Sequence, residues 1–174
     1  MAAASTEKVF TIGLSSLKAG SISADGAMPA SGMAQHGNVY RDTLSFETSD
    51  PTIEEYFEEE VDKAVASEGT EGSTTITWEI LRPSPADLQF WAGGTADGLT
   101  WSAPTGYVDK KLALEINSKQ GYVIGVPKAQ IVATTTGGGA KSTPMRLRVT
   151  ATVLVPTNAS GVDQPPLIYT APSA

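Results

Sequence analysis

The stretch Met145–Pro156, MRLRVTATVLVP, decides the fold. Met145, Leu147, Val149, Ala151, Val153 and Val155 fall on one side of an alternation whose other side is Arg146, Arg148, Thr150 and Thr152. A period of two kept up over about eleven residues marks a long strand with one buried face.

Upstream, Leu112, Leu114 and Ile116 alternate with Lys111, Ala113 and Glu115, and the turn Ser118-Lys119-Gln120-Gly121 follows. Tyr122–Val126 and Gln130–Thr135 continue on either side of Pro127, which predicts a hairpin whose second arm is interrupted by the proline. Thr74–Leu81 reads as another strand, with Ile76, Trp78 and Ile80 on one face. Asn38–Thr48 reads as a one-sided strand with its bulk on Tyr40, Leu44 and Phe46, and Lys8–Leu14 as a first strand rich in β-branched residues. Between Lys18 and Gly37 lie five residues of the Gly/Pro type among Ser and Ala, so 18–37 is expected as a long flexible loop. The proline-rich 157–174 is expected as an extended tail, with an edge strand at Leu167–Thr170.

One short helix stands out by its signals. Pro83 and Pro85 hold Arg82 and Ser84 extended, Ser84 suits the N-cap, Pro85 the first helical position and Asp87 the third, and Gly93-Gly94 stops the helix. Leu88, Trp91 and Ala92 form its apolar stripe, which should face a sheet. Ile53, Tyr56, Phe57, Val61, Ala64 and Val65 also follow helical spacing, so pattern alone predicts a second helix there.

The chain has 174 residues, 12 basic against 19 acidic, a net charge of −7 and no cysteine. That length suits one domain, 1–174. No run reaches the roughly 20 apolar residues of a membrane helix, and Met1–Phe10 holds Glu7 and no apolar stretch, so neither a membrane partner nor a secretory signal is expected. Disulfides, thiolate zinc sites and cysteine nucleophiles are excluded, and an acidic chain is a poor specific reader of DNA. The charge is unevenly placed. Residues 47–71 carry ten acids against Lys63, a local −9, while the chain from Lys110 onward carries seven bases against two acids. The acidic strip Glu54, Glu55, Glu58, Glu59, Glu60 and Asp62 lacks the Asp/Asn/Gly spacing of a calcium loop and reads as an exposed or interface surface. Lys110, Lys111, Lys119, Arg146 and Arg148 are the candidate basic contacts.

The remaining motifs read plainly. His36, the single histidine, is a loop residue without the partners of a triad or a metal site. Gly137–Thr143 lacks the glycines of a phosphate loop and reads as a hairpin tip. Asn158-Ala159-Ser160 matches a glycosylation sequon without a secretory context. Trp78, Trp91 and Trp101 suit core or interface anchors better than a ligand cage. No catalytic constellation and no cofactor site emerges, which points to a non-enzymatic protein.

The order of elements resembles the major tail tube proteins of long-tailed bacteriophages. The resemblance is carried by Asp50-Pro51-Thr52 before the acidic strip and by Gly72–Leu81 running into Arg82-Pro83-Ser84-Pro85. It continues through the helix Ala86–Ala92 with Gly93-Gly94-Thr95, Lys111–Ser118, Gly121–Ile124, Pro127-Lys128-Ala129 and Met145–Pro156. It implies a mainly β fold, an antiparallel β-sandwich or barrel with one short flanking α-helix, a long loop after the first strand and an extended C-terminal tail. It also implies a strand, not a helix, from Ile53 to Val61, and makes the 18–37 loop an arm that reaches an adjacent ring. The function implied is a structural virion subunit, assembled in the host cytoplasm, that forms stacked and commonly hexameric rings with continuous inner sheets. Its partners would be further copies of itself, the tape measure, tail terminator and distal tail proteins, and DNA as passing cargo. The acidic strip would meet the basic residues across a ring contact or line the lumen. The competing reading is a β-sandwich adhesion or carbohydrate-binding module using Trp78, Trp91 and Trp101.

Overall fold

The computed structural model describes residues 13–57, 64, 66–137 and 144–172. Residues 8–12 of the expected first strand and 138–143 of the glycine-rich tip lie outside this range, as do Glu58, Glu59, Glu60 and Asp62 of the acidic strip.

The chain is mainly β. In order, β1 is Leu14–Gly20, β2 Ser45–Thr48, β3 Thr52–Tyr56, β4 Ala66–Thr70 and β5 Thr74–Leu81; α1, Pro85–Ala92, follows. Then come β6, Thr95–Asp97, β7, Thr100–Ser102, β8, Lys110–Ser118, β9, Val123–Thr136, β10, Arg146–Val153, and β11, Ile168–Thr170. One curled antiparallel sheet, a half-barrel, runs β1-β8-β9-β10-β5-β2, with β11 added beside the start of β9. Two small hairpins, β3-β4 and β6-β7, stand apart from it.

Within β10 the decisive stretch behaves as its alternation requires, while Met145 and Val155, beyond the strand's ends, are 49% and 50% exposed. Leu147, Val149 and Ala151 of β10 are fully buried, and register places them opposite Ile80, Trp78 and Ile76 of β5 and Thr135, Ala133 and Ile131 of β9. Leu112, Leu114 and Ile116 from β8 and Leu17 and Ala19 from β1 complete the same core. Leu88 and Trp91 cover it from α1, with the Trp91 ring edge-on to Trp78 at 5.3 Å. The helix starts as its sequence dictates. Ser84 Oγ accepts from the Asp87 backbone N–H, and the Ser84 N–H donates to Asp87 Oδ2. The other face of the sheet carries Thr75 and Thr77, Thr134 and Thr136, and Thr150 and Thr152, all exposed or half-buried.

Five expectations change. Arg82, expected to be extended before Pro83, takes a left-handed φ of 52°. The described part of the first strand is β1, so Lys18, Ala19 and Gly20 belong to the sheet and the loop begins at Ser21. That loop is tied back to the body, because Ala19 and Ala34 exchange both backbone hydrogen bonds. Asn38–Thr48 is not one strand. Asn38–Tyr40 follows the end of β5, Asp42 takes a left-handed φ of 60° in a turn, and pairing resumes only at β2. Pro127 does not split its arm. Leu112 faces Ala129 and Leu114 faces Val126, so Pro127 and Lys128 form a bulge opposite Ala113, where a missing N–H costs no ladder bond. Finally, the helical spacing after Asp50 gives a strand, as the resemblance implied, over Thr52–Tyr56. The β6-β7 hairpin adds to the expected elements, turning at Gly98-Leu99 with Gly98 at a φ of 57°.

Candidate interaction surface

Three features of the sheet and its attachments can engage another molecule. The first is the pair of outer strands. β1 and β2 end the sheet on opposite sides, and each has a single strand neighbour in it, which leaves backbone donors and acceptors on the outer edges.

The second is the β3-β4 hairpin. Every residue in both strands is exposed, with Ile53 at 65% and Tyr56 at 49%, and Phe57 beyond them at 59%. An isolated two-stranded ribbon has little stability in water. Its own charges make this worse, since Glu54 stands directly opposite Glu68 in register. Glu55 lies beside it on the same exposed strand. The neck is tight. Ser49 N–H donates to Ser73 O at 3.0 Å, and a Cβ on Gly72 would stand 1.7 Å from the Ser49 carbonyl oxygen, so only glycine fits.

The third feature is a corner where all four arginines of the chain fall. Arg146 and Arg148 project from the threonine-bearing face of β10 and share Glu79 of β5, at 2.6 Å and 3.3 Å. Glu79 is the only buried charged residue among those described, at 8% exposure. Arg146 also sits 5.4 Å over the Tyr40 ring, which Tyr40 N–H fixes by bonding to Glu79 O. Arg82 follows Leu81, the register partner of Arg146, and Arg41 follows Tyr40 and lies 3.7 Å from Asp42. Arg148 keeps 54% of its side chain exposed and Arg41 92%.

The other candidate bases are spoken for differently. Lys110 donates to the Phe90 carbonyl in the last turn of α1 and lies 4.7 Å from the Phe90 ring, so it caps the helix from outside; burial lowers its pKa. Lys111 pairs with Asp109 at 3.1 Å, and Lys119 is exposed at the β8-β9 turn, its N–H on Gly13 O. Asn117 and Lys18 together hold the Glu115 carboxyl below the usual range. Of the tryptophans, Trp78 and Trp91 are 0% and 2% exposed, and Trp101 is half-buried with its N–H on Gly93 O, so no aromatic platform forms from them. His36 is more than a loop residue. Its carbonyl accepts the Trp91 N–H and its ring stacks on Phe90. A shallow depression of about 200 Å³ is lined by Ile22, Ser23, Pro127, Lys128, Pro156 and Thr157.

Sequence reasoning placed Arg146 and Arg148 among contact residues but missed Glu79, Tyr40 and Arg82 beside them. Arg82 follows the end of β5 and Arg146 begins β10, ends that only the sheet pairing brings together. Comparison with protein-family models and with curated protein sequences returned no match to the chain.

Proposed function

We propose that the chain is a structural subunit of a long-tailed bacteriophage tail tube, self-assembling into stacked rings that conduct DNA, with no catalytic role. The observation that supports this most directly is the open sheet, whose two ends, β1 and β2, are different strands. Unlike edges pair head to tail, and a head-to-tail contact repeats into rings or filaments instead of stopping at a dimer. The β3-β4 hairpin, which no described residue covers, fits the same reading, because another copy would give its apolar and acidic side chains a surface. Thr75, Thr77, Thr150 and Thr152, away from the arginine corner on the same face, are neutral polar groups that suit a wall along which DNA slides. Tape measure, terminator and distal tail proteins are the partners this role requires, and the virion is its location. Negative-stain electron microscopy over a concentration series tests it. Rings or tubes are expected, and a protein that stays monomeric at every concentration and with tail partners present overturns it.

A further inference from the structure

The acidic hairpin and the arginine corner lie at opposite ends of one strand. The hairpin returns into β5 at Thr74, and the corner is built around Glu79 and Leu81 at the other end. At about 3.3 Å per residue the two ends are roughly 23 Å apart. Each copy is therefore polar along β5.

At the corner, Arg146 and Arg148 share Glu79 and Arg41 pairs with Asp42, so among the described residues the four arginines, Arg82 included, form ion pairs with two carboxylates and leave two positive charges over. Arginine's planar fork suits carboxylates, and Glu79 and Tyr40 already hold one guanidinium in place. At the hairpin, Glu54 and Glu68 face each other with no described cation beside them. Each end holds what the other lacks.

We propose that the β3-β4 hairpin of one copy docks, through Glu54 and Glu68, on the Arg82–Arg146–Arg148 corner of a second copy. The docking is head to tail and continues from copy to copy. It rests on the tube-subunit reading and names the residues of one of its contacts. A phosphate backbone is the other polyanion such a corner could hold, but the chain's own −9 strip is attached to every copy, and the net −7 opposes nucleic acid at long range. Tyr40 and Leu81 at the corner give Tyr56, which shares the Glu54 face of the incoming hairpin, an apolar neighbour.

The chain has no cysteine, so an engineered pair reports one contact cleanly. A Glu68→Cys chain is mixed with an Arg148→Cys chain under mild oxidation. A disulfide-linked heterodimer is expected, formed faster than either homodimer, and lost as salt rises from about 0.1 M to about 1 M and the screening length shrinks to about 3 Å. Arg148→Glu sets a carboxylate opposite Glu79, so its fold is checked by circular dichroism; it should weaken association roughly tenfold or more, with recovery on adding Glu54→Arg and Glu68→Arg. Tubes that form normally with Arg148→Glu, and no preferential heterodimer, overturn the docking while leaving the tube reading standing. A wild type that never associates overturns both. Retention of a short DNA duplex by the wild type, lost with Arg148→Glu and without the crosslink, assigns the corner to nucleic acid and overturns the docking.

Discussion

His36 stacks on Phe90 with 3.4 Å between ring centroids and 8° between planes, while its carbonyl anchors the Trp91 indole at 2.9 Å. Burial lowers its pKa from the usual 6.5, with Asp87 pulling it up and Lys110 pushing it further down. The folded chain therefore resists a proton that the unfolded chain accepts. Unfolding free energy is highest above 6.5, declines as pH falls from 6.5 toward the folded value, and stays reduced below it. Glu115 acts in a separate, lower window. Its folded pKa lies below the usual 4.5, so its stabilisation is intact above 4.5 and is lost as pH falls through the folded value. Urea midpoints at about pH 7.5 and about pH 5.5 separate the two groups, since Glu115 stays ionised across that interval. The midpoint should drop at the lower pH in the wild type and drop less in His36→Gln. An identical drop in both proteins removes His36 from the account.

The β3-β4 hairpin is held by its own ladder and by its neck at Ser49 and Ser73, with every strand residue exposed. Backbone amides of 52–56 and 66–70 should therefore exchange with solvent far faster than those of β10 in the dispersed protein, and slow by at least about 100-fold once copies assemble. Hydrogen exchange followed by mass spectrometry checks this, and a hairpin already protected in the monomer contradicts it. The hairpin also explains an error of pattern. Periodicity reports which side of an element is buried, and none of the described residues buries Ile53, Tyr56 or Phe57, so their helical spacing carried no structural information. Where a face is covered, as for Leu147, Val149 and Ala151, the alternation read true; so did the helix cap, because Ser84 and Asp87 meet within three residues. The bulge at Pro127 escaped because it depends on what stands opposite in β8. The arginine corner escaped for the same reason: Glu79 and Arg146 lie 67 positions apart.

At the scale of the whole molecule, the proposed assembly requires that an open sheet avoid sticking at random. β1 is partly shielded, because Ala34 takes both outward bonds of Ala19. β2 has no such cover among the described residues, and its bonding can be followed residue by residue. Ser49 N–H bonds to Ser73 O, so the antiparallel alternation turns the N–H groups of Glu47 and Ser45 toward β5 and those of Phe46 and Thr48 toward the free edge. Phe46→Pro therefore removes an outward donor while keeping the inner ladder, at a side chain that is 42% exposed. The monomer should keep its circular dichroism spectrum and melt cooperatively, but form no rings or tubes on its own. Mixing separates the two symmetries. In head-to-tail growth the variant still offers an intact β1 edge, so a minority of it enters wild-type assemblies, stops their closure or growth, and shortens them in electron micrographs. In a symmetric β2-to-β2 pairing the variant is simply left out, and wild-type assemblies form undisturbed. Shortening by a minority of variant is the outcome that an open, polar sheet demands.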